Sequence, residues 1–161
     1  MKIKFYATGG TIDKVYFDAK SEYKVGAPQV EEILKDSNVA FDYEVESILQ
    51  KDSLEMTAED RRAIREIIEN ETCDKIIITH GTDTMVETAK FLTGIENKTI
   101  VFTGAMEPAR SRYTDATFNV GCAIAAAQTL PAGVYIAMNG CIYEADKVRK
   151  NYDAKRFEAI S

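Results

Sequence analysis

Two short stretches of this chain gather hydroxyl, carboxylate and glycine residues at spacings that suit attack on a carbonyl carbon. The first is Thr8-Gly9-Gly10-Thr11, directly after an apolar opening segment. Paired glycines let the backbone turn tightly and present N–H groups with no side chain in the way, so Thr11 would stand beside a cradle for an anion or oxyanion. A phosphate fits poorly, because the stretch lacks the third glycine of GxGxxG and the Gly-Lys-Ser/Thr of a phosphate-binding loop. A hydroxyl nucleophile beside oxyanion donors is the chemical reading; a plain glycine turn is the reading without chemistry. The second stretch is His80-Gly81-Thr82-Asp83-Thr84-Met85, directly after Ile76-Ile77-Ile78-Thr79. Asp83 falls at the start of an expected helix, where the dipole keeps a carboxylate ionised and able to receive a substrate ammonium. Thr82 or Asp83 would also serve as that helix's cap. His80, the single histidine, reads as a hydrogen-bonded structural residue rather than a general base.

Both stretches need a frame that brings strand ends together. Runs rich in β-branched and aromatic residues recur at Ile3–Ala7, Phe41–Ile48, Lys75–Thr79, Thr99–Thr103 and Gly133–Met138, and the segments between them have helical spacing. The clearest helix starts at Thr57, with Asp60 in the capping-box position and Ala63, Ile64, Ile67 and Ile68 on one face. Others are expected at Gln29–Leu34, Thr84–Leu92 and Thr117–Thr129, the last with Asp115 near its start. Strands alternating with helices predict a three-layer α/β/α domain with a mainly parallel, Rossmann- or flavodoxin-like sheet. Ligands in such sheets sit at the carboxyl ends of strands, which singles out the loops after Ala7, Thr79, Thr103 and Met138. Residues 13–27 are polar and weakly periodic, and read as a flap over the first strand's end or as a plain connection.

Composition narrows the partners. A chain of 161 residues with 45% hydrophobic and 29% charged residues is a single ordered globule rather than a fibrous or disordered one. A formal charge of -6 leaves no field to gather nucleic acid or an anionic membrane. The three cysteines, Cys73, Cys122 and Cys141, are widely spaced and predict a reducing compartment and no metal site. Met1-Lys2-Ile3-Lys4 runs straight into a strand without signal-peptide character, so the expected location is cytoplasmic.

Together the two motifs resemble the signatures of the bacterial-type L-asparaginases, amidohydrolases with a threonine nucleophile. Further similarity runs through Tyr23-x-Val25-Gly26, Asp52-Ser53-x-x-Met56-Thr57, Gly104-Ala105-Met106-x-Pro108, Asp115 with Phe118-Asn119, and Met138-Asn139 followed by Val148-x-Lys150. It covers the family's amino-terminal domain, so the expectation is one catalytic domain over 1–161 with the carboxy-terminal domain absent. The resemblance implies Thr11 as nucleophile, Tyr23 as its flap-borne partner, and Thr82, Asp83 and Lys150 as a second polar triad. It implies substrate contacts at Gly10, Ser53, Leu54, Gly81, Asp83 and Ala105, with Ser53 and Asp83 holding the α-carboxylate and α-ammonium, and no metal or organic cofactor. The Gly10 N–H and the Thr82 backbone are the candidate oxyanion donors. Lys150 reads best as a cation that orders Thr82 and Asp83. Acting as a base instead would cost roughly 4 kcal/mol, because a free lysine keeps its proton up to a pH of about 10.4.

The chain departs from the family pattern at several places. Leu54 stands where a polar, amide-bearing residue is usual, Asp13 replaces a small residue, and Glu107 and Arg110 alter the 104–115 loop. The family also completes its site with an acidic side chain from a neighbouring subunit's second domain. Beyond Asp83, Ser53 and backbone groups, further substrate contacts are expected from Glu22, Glu107 or Arg110 across a symmetric homodimer or larger homo-oligomer. The expected reaction is hydrolysis of L-asparagine to L-aspartate and ammonia through an acyl-threonine. The alternatives are a non-catalytic asparagine or aspartate binder, and an amidase for glutamine or a larger amide.

Overall fold

The computed structural model describes residues 1–17 and 22–160. In chain order the elements are β1 (Lys2–Gly9), β2 (Lys14–Phe17), β3 (Glu22–Val25), α1 (Val30–Asp36), β4 (Asp42–Lys51), α2 (Ala58–Asn70), β5 (Lys75–Thr79), α3 (Met85–Phe91), β6 (Thr99–Thr103), α4 (Ala116–Thr129), β7 (Gly133–Met138), β8 (Cys141–Glu144), β9 (Val148–Asn151) and β10 (Arg156–Ala159). A six-stranded sheet has the order β4-β1-β5-β6-β7-β8. Its first five strands are parallel neighbours, and β8 returns antiparallel on β7.

The central strands are continuous apolar runs because both of their faces are covered. Ile76, Ile78, Ile100 and Phe102 point to one side, where they meet Ile64 and Ile68 of α2 and Met85 and Ala89 of α3. Ile77 and Val101 point to the other, against Val30 and Leu34 of α1 and Val120, Ala123 and Ala127 of α4. The expected three-layer α/β/α architecture is therefore observed.

Helix α2 starts where its capping box predicts: the Asp60 N–H donates to Thr57 Oγ1 at 3.1 Å and the Thr57 N–H to Asp60 Oδ2 at 2.9 Å. Its buried stripe is Arg61, Ile64 and Ile68. Ala63, expected on that stripe, faces solvent, because Arg61 takes the core-facing position and satisfies its Nε by donating to Thr88 Oγ1 at 2.9 Å. No described helix is long and apolar enough to cross a membrane.

Two small antiparallel hairpins flank the sheet at the candidate site. β2 pairs with β3, so the described part of the 13–27 stretch is a hairpin rather than a loop; residues 18–21 of that expectation lie outside the described residues. β9 pairs with β10, with Lys150 opposite Phe157.

Candidate functional site

Three loops meet backbone to backbone at the carboxyl end of the sheet. The β1–β4 pairing slips between Ala7 and Gly9, and Gly9 and Gly10 take positive φ, +107° and +86°. This turns the chain out of the sheet into a 3-10 turn, Thr11–Asp13. A Cβ on Gly10 would lie 2.4 Å from the Gly81 nitrogen, and one on Gly81 would lie 2.6 Å from Ser53 Cβ. Glycine is required at both places so that the Thr11, Thr82 and Ser53 loops can touch. The strand ends are cross-tied as well: Thr8 Oγ1 donates to the Thr79 carbonyl at 2.9 Å and Thr103 Oγ1 to the Ala137 carbonyl at 2.8 Å.

The Ser53 loop is fastened to the start of α3. Thr84 Oγ1 donates to the Ser53 carbonyl at 2.8 Å, and the Thr84 N–H donates to Ser53 Oγ at 3.3 Å. Thr84 is the residue at the N-cap position of α3, and its side chain makes no capping bond. Capping of this helix by Thr82 or Asp83, as the sequence suggested, does not occur. Both side chains turn instead to Lys150, whose Nζ donates to Thr82 Oγ1 at 2.8 Å and to Asp83 Oδ1 at 2.7 Å. Lys150 and Asp83 are largely covered, with side-chain exposures of 13% and 29%. Charge-assisted bonds of this kind in a shielded place are stronger than the same pair in water.

Thr11 sits half-buried on a firmly held turn. The Ile12 carbonyl accepts from the Ala109 N–H at 3.1 Å, which joins the 104–115 loop to it. That loop is organised by Asp115, whose carboxylate accepts the N–H groups of Met106 and Glu107 and the Asn119 amide. Asp115 was expected near the start of α4 as a cap; it stands at the N-cap position but ties the loop instead. Asp13 closes the base of the hairpin. Its carbonyl accepts from the Gly26 N–H at 2.8 Å, and its carboxylate, on a residue 1% exposed, accepts from the Gln29 N–H at 2.8 Å. Burial raises that carboxyl's pKa to about 7, which the Gln29 bond only partly opposes.

Other expected positions are less engaged. Tyr23 is 57% exposed, packed edge-on against Tyr16 of the same hairpin. Leu54 is 72% exposed. Ala105 has its methyl in the core beside α4, which leaves its main chain as the part able to meet a ligand. The Gly10 N–H, proposed from sequence as an oxyanion donor, donates to the Lys51 carbonyl at 2.9 Å; that donor is spent in the β1–β4 pairing. Arg110 donates to Gln29 Oε1 at 3.0 Å. His80 is fully buried, with Nδ1 against the Gly81 carbonyl at 2.7 Å, and burial pushes its pKa down to about 4. It is a neutral structural imidazole, as expected. Sequence reasoning missed Thr84 and Tyr152. Tyr152 lies with its ring face 4.7 Å from Lys150 Nζ and its hydroxyl 3.3 Å from the Asp83 carbonyl.

A sequence model of the family described as "Asparaginase, N-terminal" matches residues 2–161. The chain belongs to the asparaginase family. It is 36% identical to L-asparaginase 2 of Escherichia coli (strain K12), over 99% of this chain and 49% of that protein. It is 32% identical to the glutaminase-asparaginase of Acinetobacter glutaminasificans, over 96% of this chain and 51% of that protein. Among solved structures, the thermostable L-asparaginase from Thermococcus kodakarensis superposes with a TM-score of 0.84 at 26% identity, over 99% of this chain and 51% of that one. The chain thus spans about half the length of these asparaginase relatives.

Proposed function

We propose that this domain carries the hydrolytic site of an amidohydrolase acting on L-asparagine. The supporting observation is the backbone contact of the Gly10, Gly81 and Ser53 loops, with Lys150 bridging Thr82 and Asp83, in a chain of this family. In this reading Thr11 Oγ1 attacks the side-chain amide carbon, its proton passes by way of Tyr23 to the departing nitrogen, and ammonia leaves an ester on Thr11. Water then adds to that ester, freeing L-aspartate and restoring the Thr11 hydroxyl. The Asp83 carboxylate receives the substrate ammonium and Ser53 the α-carboxylate. The Thr82 main chain is the oxyanion donor, since the Gly10 N–H is committed to Lys51. Lys150 acts as a cation that fixes Thr82 and Asp83 and offsets negative charge developing at the reacting carbonyl.

Because Tyr23 is 57% exposed on the hairpin, substrate is expected to draw β2 and β3 inward, completing the site as water is excluded. The three free thiols favour a cytoplasmic location, and a symmetric homo-oligomer with Glu22, Glu107 or Arg110 at its interface would supply the remaining substrate contacts. The test is ammonia release from asparagine and glutamine by the purified chain and its Thr11→Ala variant. Asparagine turnover exceeding glutamine turnover, lost on the order of 10³-fold or more in Thr11→Ala, is the expected result. Turnover unchanged in that variant, or asparagine binding with no ammonia from either amide, would overturn the reading in favour of another nucleophile or of a non-catalytic binding module.

A further inference from the structure

Among the described residues, the Lys150 ammonium donates to Thr82 and Asp83. It also lies over the aromatic face of Tyr152, 4.7 Å from the ring centroid. Tyr152 begins the turn between β9 and β10. The Asn151 side chain pins that turn by accepting from the Ala154 N–H at 3.1 Å and donating to both Glu158 carboxylate oxygens at 3.2 Å. One pair in from that turn, the Phe157 N–H donates to Asn139 Oδ1 at 2.7 Å, which docks β10 on the loop after β7. A tyrosine 60% exposed would be an ordinary surface residue were it not held by two contacts to the same pair: ring to Lys150, and hydroxyl to the Asp83 carbonyl at 3.3 Å.

We infer that Tyr152 is a positioning residue for the reaction: its ring walls the solvent side of the Lys150 ammonium and its hydroxyl fastens the Asp83 backbone, so that the cation stays aimed at Thr82 and Asp83. The physics is that of a cation over a π face combined with one hydrogen bond. A lysine has four rotatable bonds, and without a wall its ammonium samples water rather than a single geometry. Holding one geometry between turnovers is worth rate rather than binding, since misplacement of a charge-stabilising group weakens the transition state more than the bound substrate. This rests on the amidohydrolase reading above for its kinetic consequence and on geometry alone for the contact.

Two variants separate the ring from the hydroxyl. Tyr152→Phe keeps the wall and loses the hydroxyl; Tyr152→Leu loses both. With lysine labelled for NMR and the Lys150 ε-methylene signal assigned by its absence in Lys150→Met, the wild-type signal is expected to be shifted upfield by the ring. The shift should persist in Tyr152→Phe and vanish in Tyr152→Leu. In the asparagine assay, Tyr152→Leu is expected to lower kcat on the order of tenfold with KM within about twofold, and Tyr152→Phe to recover to within about threefold of wild type. A wild-type Lys150 signal lying among the other lysines would overturn the contact. An unchanged kcat in Tyr152→Leu, an effect on KM alone, or equal losses in the two variants would overturn the ring's positioning role. A wild-type chain that releases no ammonia would count against the amidohydrolase reading itself and against any kinetic role for Tyr152, while the NMR result would still decide the contact.

Discussion

The two sides of the candidate site are built differently. On one side Ser53, Gly81, Thr82, Asp83, Thr84 and Lys150 are locked by backbone contact, two hydrogen bonds between Ser53 and Thr84, and an ion pair of 2.7 Å. On the other, Thr11 stands on a firm turn, but the residue expected to share its proton is on a two-stranded hairpin, 57% exposed and packed against Tyr16 alone among the described aromatic contacts. In the proposed reaction, the side that would hold substrate is already tied together, and the side that would handle the proton is expected to close with substrate. Rigid loops are affordable where charge must be received without reorganisation, and a hinge is needed where water must first leave.

Breaking the rigid side should have the largest effect. Lys150→Met removes the donor shared by Thr82 and Asp83 and leaves a partly covered carboxylate without its partner. Turnover of asparagine is expected to fall on the order of 10³-fold, measured as kcat/KM. A variant retaining a tenth of wild-type activity would show that the ion pair is scaffolding.

The hinge side should be sensitive to pH. Asp13 keeps its proton in the native state up to a pH of about 7, whereas the unfolded chain releases it near 3.8. Between these values the folded state holds more protons, so this residue makes stability fall as pH rises, by roughly 4 kcal/mol across the window. His80 acts in the opposite sense: its native value of about 4 lies below the ordinary 6.5, so its contribution rises with pH over that interval. Asp13→Asn is expected to remove only the first effect. Denaturant midpoints followed from pH 4 to 8 should show the variant gaining on wild type as pH rises; a constant difference would mean that Asp13 is not the titrating group.

Gly81→Ala sharpens the comparison by forcing a methyl to within 2.6 Å of Ser53 Cβ. A loss of about 1–3 kcal/mol in stability, together with weaker aspartate binding by calorimetry, is expected. The smallest effect belongs to Lys14→Ala, which cuts the 3.4 Å link from β2 to Asp52. Such half-exposed pairs contribute under about 1 kcal/mol, so the melting temperature should hardly move while KM rises slightly through a looser hairpin.

Much of the frame was legible because its signals are local. Strands β5, β6 and β7 have the expected bounds, since unbroken apolar runs between polar breaks leave little choice, and Thr57 with Asp60 marks the start of α2 unambiguously. What escaped is non-local. β8, β9 and β10 are four residues each, too short for a period to be read, and their pairing depends on contacts with distant strands. Lys150 lies 68 residues from the Thr82 it bonds, and no spacing rule joins them; the family resemblance alone pointed there. The capping expected of Asp115, and of Thr82 or Asp83, failed in the same way. Each lies at or just before a helix start, but each side chain is drawn off by a partner that tertiary folding brings near: the 104–115 loop for Asp115, and Lys150 of β9 for Thr82 and Asp83.

The most direct test of the whole account is to quench the chain during asparagine turnover and map the adduct by mass spectrometry. One aspartyl group in ester linkage on Thr11, absent in Thr11→Ala, is the predicted result. Steady ammonia release with the adduct on another hydroxyl, or with no adduct under conditions that slow the water step, would contradict it.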